Sequence, residues 1–268
     1  MENQRKETAA FTLIELFAVL AITAVLAVML LPALARAKAR NQRASCASNL
    51  KELGISFRTW ASHNNDAYPM IVPPASGGPP NQTQITNGAA QYLYQVFGVM
   101  SNEVSTARLL ACPSDSDTTV HTNLLIVTNA VKEVAVPGSG SPPQYSLCDY
   151  NVSYFLGLDA DENFPQMLLC GDRNIYGGTG SYARMTAAAN NHYGDAQHGS
   201  PAEVVIGTNF VATANSPGWT GKIHRFQGNV LLCDGSVEQF YSSARLRDQF
   251  LNSGDRTQTP GPNTLLFP

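Results

Sequence analysis

A chain of 268 residues has room for one large or two small domains. With 44% hydrophobic and only 14% charged residues it can bury a core, which excludes charge-driven disorder and a solvated coiled coil. A formal net charge of −3 excludes a binder whose affinity comes from neutralising phosphates, so nucleic acid is not an expected partner. The charge is uneven. Residues 1–65 hold eight basic and four acidic side chains, and the remainder nine and sixteen. The two parts therefore meet different surroundings.

Residues 16–35, LFAVLAITAVLAVMLLPALA, carry no charge. At about 1.5 Å per residue they reach about 30 Å, the thickness of a bilayer's hydrocarbon core. No polar face interrupts them, so a membrane-inserting helix is expected rather than a buried one. A cleaved secretory signal is the alternative, but its apolar region is shorter and its small-residue cleavage site follows that region. Here Ala9 and Ala10 precede it. Glu15 lies at the start of the run. A carboxylate deep in an apolar helix costs about 2.5–3.5 kcal/mol, so Glu15 needs a partner or an interfacial position. Its charge alone leaves pairing and snorkelling to the headgroups equally open.

The string Ala10-Phe11-Thr12-Leu13-Ile14-Glu15-Leu16 resembles the processing site of type IV prepilins and type II secretion pseudopilins. The resemblance implies a leader over residues 1–10, cut by a prepilin peptidase between Ala10 and Phe11, and N-methylation of Phe11. Arg5 and Lys6 in the leader and Pro32 within the span fit the same pattern; Ala10 stands where the family usually has Gly. It further implies that the new amine of one subunit pairs with Glu15 of another, so that the helix joins other pilin or pseudopilin subunits. The flank Arg36, Lys38, Arg40 and Arg43 is more basic than the leader, which by charge alone would place the C-terminal side in the cytoplasm. The prepilin-like motif is the stronger signal. It implies a single-pass inner-membrane protein whose C-terminal part lies in the periplasm or in an extracellular filament.

Residues 36–64 contain no Pro and only Gly54, and Leu50, Leu53, Phe57 and Trp60 recur at three- and four-residue spacing. That stripe lies on one face of an amphipathic helix and is expected to pack on the C-terminal domain. A stalk helix over 11–65, bent at most at Pro32, and a separate head over 66–268 follow.

From Tyr68 the composition turns to Gly, Pro, Ser, Asn and Thr, and the Pro/Gly-rich stretches 73–80 and 137–143 are loops. A short helix is expected over 89–100. Strands are expected over 124–127, 133–136, 153–157, 167–170, 204–206 and 222–226. Residues 229–240, with Asp234-Gly235 between apolar runs, read as a hairpin on a two-residue turn with both turn positions at positive φ. A helix over 242–251 follows. The fold class is α+β: a long N-terminal helix, then a mixed domain with an antiparallel sheet.

Four further strings are similar to a large bacterial family of prepilin-like proteins whose long domain has no defined role. They are Cys46-x2-Asn49-Leu50-Lys51, Ala111-Cys112-Pro113-Ser114-Asp115, Gly171-Asp172-Arg173 and His224-x4-Asn229-x4-Asp234-Gly235. Five cysteines, 46, 112, 148, 170 and 233, have no Cys-x-x-Cys spacing, which removes zinc-ribbon and thioredoxin-like readings. Disulfides suit a compartment outside the cytoplasm, and two bridges can be chosen in fifteen ways. Cys46 with Cys112 is the pair the shared motifs imply. Cys170 and Cys233 each end a Leu-Leu-Cys run and read as buried free thiols.

His224, Asp234 and Asp172 suggest acid/base chemistry, but no nucleophile elbow accompanies them, so polar turn-bracing is the expectation and no enzyme is expected. Asp159-x-Asp161-x-Asn163 opens like an EF-hand loop, but Phe164 and Cys170 stand where its Gly and Glu belong. A calcium site from Asp159, Asp161 or the Asp115/Asp117 pair stays open; no other cofactor is expected. The function this sequence points to is a pseudopilin or pilin-like structural subunit of a type II secretion or pilus-like filament. The other reading is a non-polymerising, membrane-anchored periplasmic ligand-binding domain.

Overall fold

The computed structural model describes residues 12–79, 93–116, 118, 151–177, 202–206, 216–254 and 263–268. The strands expected over 124–127 and 133–136 lie outside them. The chain divides into two compact units, Met1–Asn41 and Gln42–Pro268, and the molecule is α+β, a long N-terminal helix followed by an antiparallel sheet domain.

Helix α1 runs Leu13–His63 and passes through Pro32 without ending. In the first unit its leucines, valines and isoleucines are all exposed, from Leu16 and Val19 at 51% to Ile14 at 77%. Its most apolar 18-residue window has a mean hydropathy of 2.7, so by length and composition it is one candidate membrane-spanning helix near the N-terminus. In the second unit the same helix buries Arg43, Cys46, Leu50, Leu53, Phe57 and Trp60. Their spacing of three and four holds one stripe against the sheet. Each fully buried Leu or Phe in such a stripe contributes about 1.5–3 kcal/mol relative to exposure. Gly54 sits on the same side because a Cβ there would meet Leu231 Cδ1 at 2.7 Å, so helix and sheet approach too closely for a side chain. The helix stops where Asn65 and Asp66 take left-handed φ of 58° and 55°, with Asp66 N donating back to Ala61 O at 3.0 Å.

Helix α2 runs Leu93–Val99 within the helix expected over 89–100, of which residues 89–92 lie outside the described residues. The main sheet contains β1 (Tyr154–Gly157), β2 (Leu168–Asp172), β4 (Ala202–Val205), β6 (Gly228–Leu232), β7 (Val237–Phe240) and β8 (Thr264–Phe267). Their order is β4-β8-β1-β2-β6-β7, and every neighbouring pair is antiparallel. A two-stranded sheet pairs β3 (Ile175–Tyr176) with β5 (Gly218–Trp219). Helix α3, Ser243–Asn252, begins at an N-cap in which Ser242 Oγ accepts from Arg245 N.

Successive residues of the central strands alternate between two cores. Tyr154, Leu156, Leu231 and Leu266 join the core that holds the α1 stripe. Phe155, Val230, Leu232, Leu265 and Phe267 join the core of Leu246 and Phe250 from α3. A sheet covered on both faces explains why these strands read as unbroken apolar runs rather than as polar/apolar alternation.

Two local expectations are corrected. Residues 222–226 form a turn, not a strand: Arg225 and Phe226 adopt φ of 54° and 64°, and Phe226 N donates to Thr220 O at 3.0 Å. Four residues, 233–236, separate β6 from β7, and the Leu232–Ser236 hydrogen bond narrows the loop to Cys233, Asp234 and Gly235, of which only Gly235 is left-handed, at φ 79°. Gly235 N donates to Leu232 O, Leu232 N donates to Ser236 O, and Asp234 Oδ1 accepts from Ser236 N. This is the three-residue connection closed by a left-handed Gly, not the two-residue turn.

Candidate functional site

The strings singled out in the sequence meet inside the second unit. Cys46 of α1 and Cys112, just after the 3-10 turn Ala107–Leu110, form a disulfide with Cα atoms 5.2 Å apart. Asn49 Nδ2 donates to Ala111 O at 3.2 Å and Gln42 Nε2 to Pro113 O at 3.0 Å, so the 111–113 segment is tied to α1 on both sides of the bridge. Asp172, the last residue of β2, and His224, in the 220–227 turn, lie beside it. His224 Nε2 is 3.4 Å from Cys112 Sγ and 3.3 Å from Asp172 Oδ2. Asn174 fixes that turn at both ends: Thr220 N donates to its carbonyl, and its Nδ2 donates to Thr220 O and Gln227 O.

Asp172 Oδ2 also accepts from Asn229 N at 2.6 Å and Asn229 Nδ2 at 2.9 Å, whereas Asp172 Oδ1 is buried without a hydrogen-bond partner. Arg43 closes the cluster. Its guanidinium donates to Asn229 Oδ1, Gln227 Oε1, Gly228 O and Phe240 O, and it lies 4.3 Å from the centroid of the Tyr241 ring. Burial pushes the Asp172 carboxyl up to about 7, against the pull of the Asn229 N–H groups and Arg43. Burial also pushes His224 down to about 4, and Arg43 acts in the same direction. Both shifts favour a neutral imidazole beside a carboxyl that holds its proton far above the usual range.

A second buried pair lies alongside. Arg173 reaches Asp115 through Nε at 2.8 Å and Nη2 at 2.9 Å, and Thr118 Oγ1 donates to the same carboxylate. The two-pronged geometry makes this a fixed brace between the 107–115 segment and the end of β2.

Chemically, the acid–imidazole pair can share and orient a proton. It is nearly closed to solvent, with Asp172 at 0% and His224 at 8% exposure, and its sulfur neighbour is held in a disulfide rather than free as a nucleophile. Asp234 is not joined to them in this arrangement; it closes the hairpin turn. Asp159 Oδ2 accepts from Thr264 N and Asp161 Oδ1 from Asn163 N and Nδ2, so both carboxylates shape turns. Asp117 lies outside the described residues, as do Ala10, Phe11 and Cys148. Cys170 and Cys233 are buried free thiols; burial pushes both up, Cys233 to about 12, which leaves them little thiolate.

At the other end of the chain, Glu15 forms a reciprocal cap with Thr12. Thr12 N and Oγ1 each donate to Glu15 Oε2 at 2.8 Å, and Glu15 N donates to Thr12 Oγ1 at 3.3 Å. This is a capping box at the start of α1. The signal was in the sequence, since Thr-x-x-Glu ahead of an apolar run is its signature. In the sequence Arg43 reads only as one charge of a basic flank. It stands three residues before Cys46 and seven before Leu50, on the same stripe, and reads as a flanking charge only while the stripe is taken to begin at Leu50.

No protein-family model, no curated protein and no solved structure matches this chain.

Proposed function

We propose that the chain is a pseudopilin-type structural subunit, cleaved after Ala10, methylated on Phe11, and held in the inner membrane by residues 16–35. Through that helix it joins other subunits in a type II secretion or pilus-like filament, with the sheet domain outside the cytoplasm. The observation that carries this reading is an exposed, uncharged helical segment that begins directly after the Phe11-to-Glu15 block. Apolar area stays out of water both in lipid and against neighbouring helices, so packing and charge decide assembly. Glu15 is then the deciding group, because a carboxylate that leaves the interface needs a cation. The buried cluster of Arg43, Asp172, His224 and Asn229 braces the head and carries no reaction. A disulfide between Cys46 and Cys112 is in keeping with an oxidising compartment.

Mass spectrometry of the N-terminus in protein extracted from membranes tests the reading. The expected species begins at N-methylated Phe11. A chain that still begins at Met1, or one that begins after residue 35 as a secretory signal peptidase would leave it, overturns it.

A further inference from the structure

Four metal-ligating side chains from four separate segments converge in the head. Cys46, Cys112, Asp172 and His224 are all buried, and one ligand atom from each lies within 4.8 Å of every other. Two thiols, an imidazole and a carboxylate form the donor set of a tetrahedral zinc centre. With zinc bonds of about 2.3 Å to sulfur and about 2.0–2.2 Å to nitrogen and oxygen, the tetrahedron's S···N edge is about 3.5 Å and its N···O edge about 3.3 Å. Two edges already have these lengths, 3.4 Å from Cys112 Sγ to His224 Nε2 and 3.3 Å from His224 Nε2 to Asp172 Oδ2, and the bonded sulfurs must part to about 3.8 Å once the disulfide is reduced. A second observation concerns the same carboxylate: Oδ2, the oxygen 3.3 Å from His224 Nε2, already accepts from Asn229, whereas Oδ1 is buried with no hydrogen-bond partner, so the group has acceptor capacity left over.

We propose that in its dithiol form the head binds one Zn2+ through Cys46 Sγ, Cys112 Sγ, Asp172 and His224 Nε2, so that a metal ion and a disulfide are alternative staples at one position. Two thiolates and a carboxylate around a divalent cation leave one net negative charge. Arg43, buried in the same cluster and hydrogen-bonded to Asn229 Oδ1, offsets it. Asn229 is the positioning residue, since its Nδ2 donates to the Asp172 carboxylate. A dithiol reductant breaks the Cys46–Cys112 bond and becomes a disulfide itself, delivering two electrons and two protons to the sulfurs. Zn2+ then binds as both thiols, and Asp172 where it is protonated, release their protons to solvent. Either staple ties α1 to the segment after Leu110, and only the metal also ties in the end of β2 and the 220–227 turn.

The test uses the full chain in detergent, prepared with a phosphine reductant throughout and its free thiols counted by alkylation and mass. Co2+ is added as the probe, followed by Zn2+. The expected result is one Co2+ per chain, the intense visible bands of tetrahedral cobalt, a thiolate-to-cobalt charge-transfer band, and loss of all three on adding Zn2+. The disulfide form should give no charge-transfer band. Asn229→Ala should weaken cobalt binding by about 10–100-fold, the usual loss when a group supporting a ligand is removed. The cobalt spectrum of the unsubstituted chain decides independently of whether a variant folds. Absence of the charge-transfer band in the thiol form, equal metal uptake by the disulfide form, or failure of the thiol form to stay folded with metal present each overturns the proposal.

Discussion

The two stretches of α1 share one backbone geometry and differ in where their apolar side chains go. Residues 13–41 leave every Leu, Ile and Val exposed, so among the described residues nothing covers them. Residues 42–63 bury a stripe at three- and four-residue spacing against a sheet, and the stripe begins with a charge and a sulfur, Arg43 and Cys46. Helix propensity is therefore a poor guide to what a helix is for; the width of its apolar surface decides. An all-round apolar helix asks for lipid or like helices, and a one-sided helix asks for a core.

Removing residues 1–35 should break the contrast most completely. The remaining chain should leave the membrane fraction, stay in solution without detergent, and unfold at the same denaturant midpoint as the full-length head, as read by sedimentation and tryptophan fluorescence. Next in size is Arg43→Ala, which strips donors from Asn229 Oδ1, Gln227 Oε1 and two backbone carbonyls and leaves Asp172 without a buried cation. Urea unfolding should register a loss of about 3–5 kcal/mol. Leu26→Ala, in the exposed stretch, should change the same measurement by no more than about 0.5 kcal/mol. Gly54→Val drives a methyl group into Leu231 and should cost about 1–3 kcal/mol by overpacking.

Acidity sharpens the comparison within the head. In the disulfide form, with chelator present, the folded chain holds more protons on Asp172 than the unfolded chain between about 3.8 and about 7. That contribution is largest at low pH and is lost as pH rises through 7. His224 is the reverse: between about 4 and 6.5 the unfolded chain holds more protons, so its contribution is present above 6.5 and is lost as pH falls toward 4. The two oppose each other and should leave a shallow profile. Asp172→Asn should make stability rise with pH across that window, and His224→Gln should make it fall; thermal melts over a pH series read both signs.

The smallest effect on stability is expected at Glu15. Glu15→Gln keeps an acceptor for Thr12 N and removes the charge, whereas Glu15→Ala removes both. Only the alanine variant should loosen the first turn, by about 1 kcal/mol, as read by amide exchange in micelles. Both variants should fail to enter filaments if the carboxylate pairs with a neighbour's amine; normal entry of Glu15→Gln would reduce Glu15 to a cap.

Much of this architecture is legible in the chain because it is local. The uncharged run, the stripe from Leu50 to Trp60, the hairpin around Gly235 and the helix after Ser242 each announce themselves within a few residues. The 222–226 turn does not. Lys-Ile-His-Arg-Phe alternates like a strand, but contacts with Thr220, Gly221 and Asn174 hold Arg225 and Phe226 in a conformation that bulky residues seldom take. The buried cluster was legible only as four separate strings. Asp172 and Asn229 face each other through the pairing of β2 with β6, which puts Gly171 opposite Val230, a register that no local pattern encodes. The two-residue strands β3 and β5 are too short to leave any periodic trace.

The Cys46–Cys112 bond also has a mechanical meaning. It sits five residues into the compact head, so tension entering at Gln42 meets a covalent crosslink before it reaches the Leu50-to-Trp60 stripe. Tugging on the N-terminal side therefore loads a sulfur bridge and the arginine anchor beside it, and the greasy contacts deeper in are spared from being peeled apart one by one.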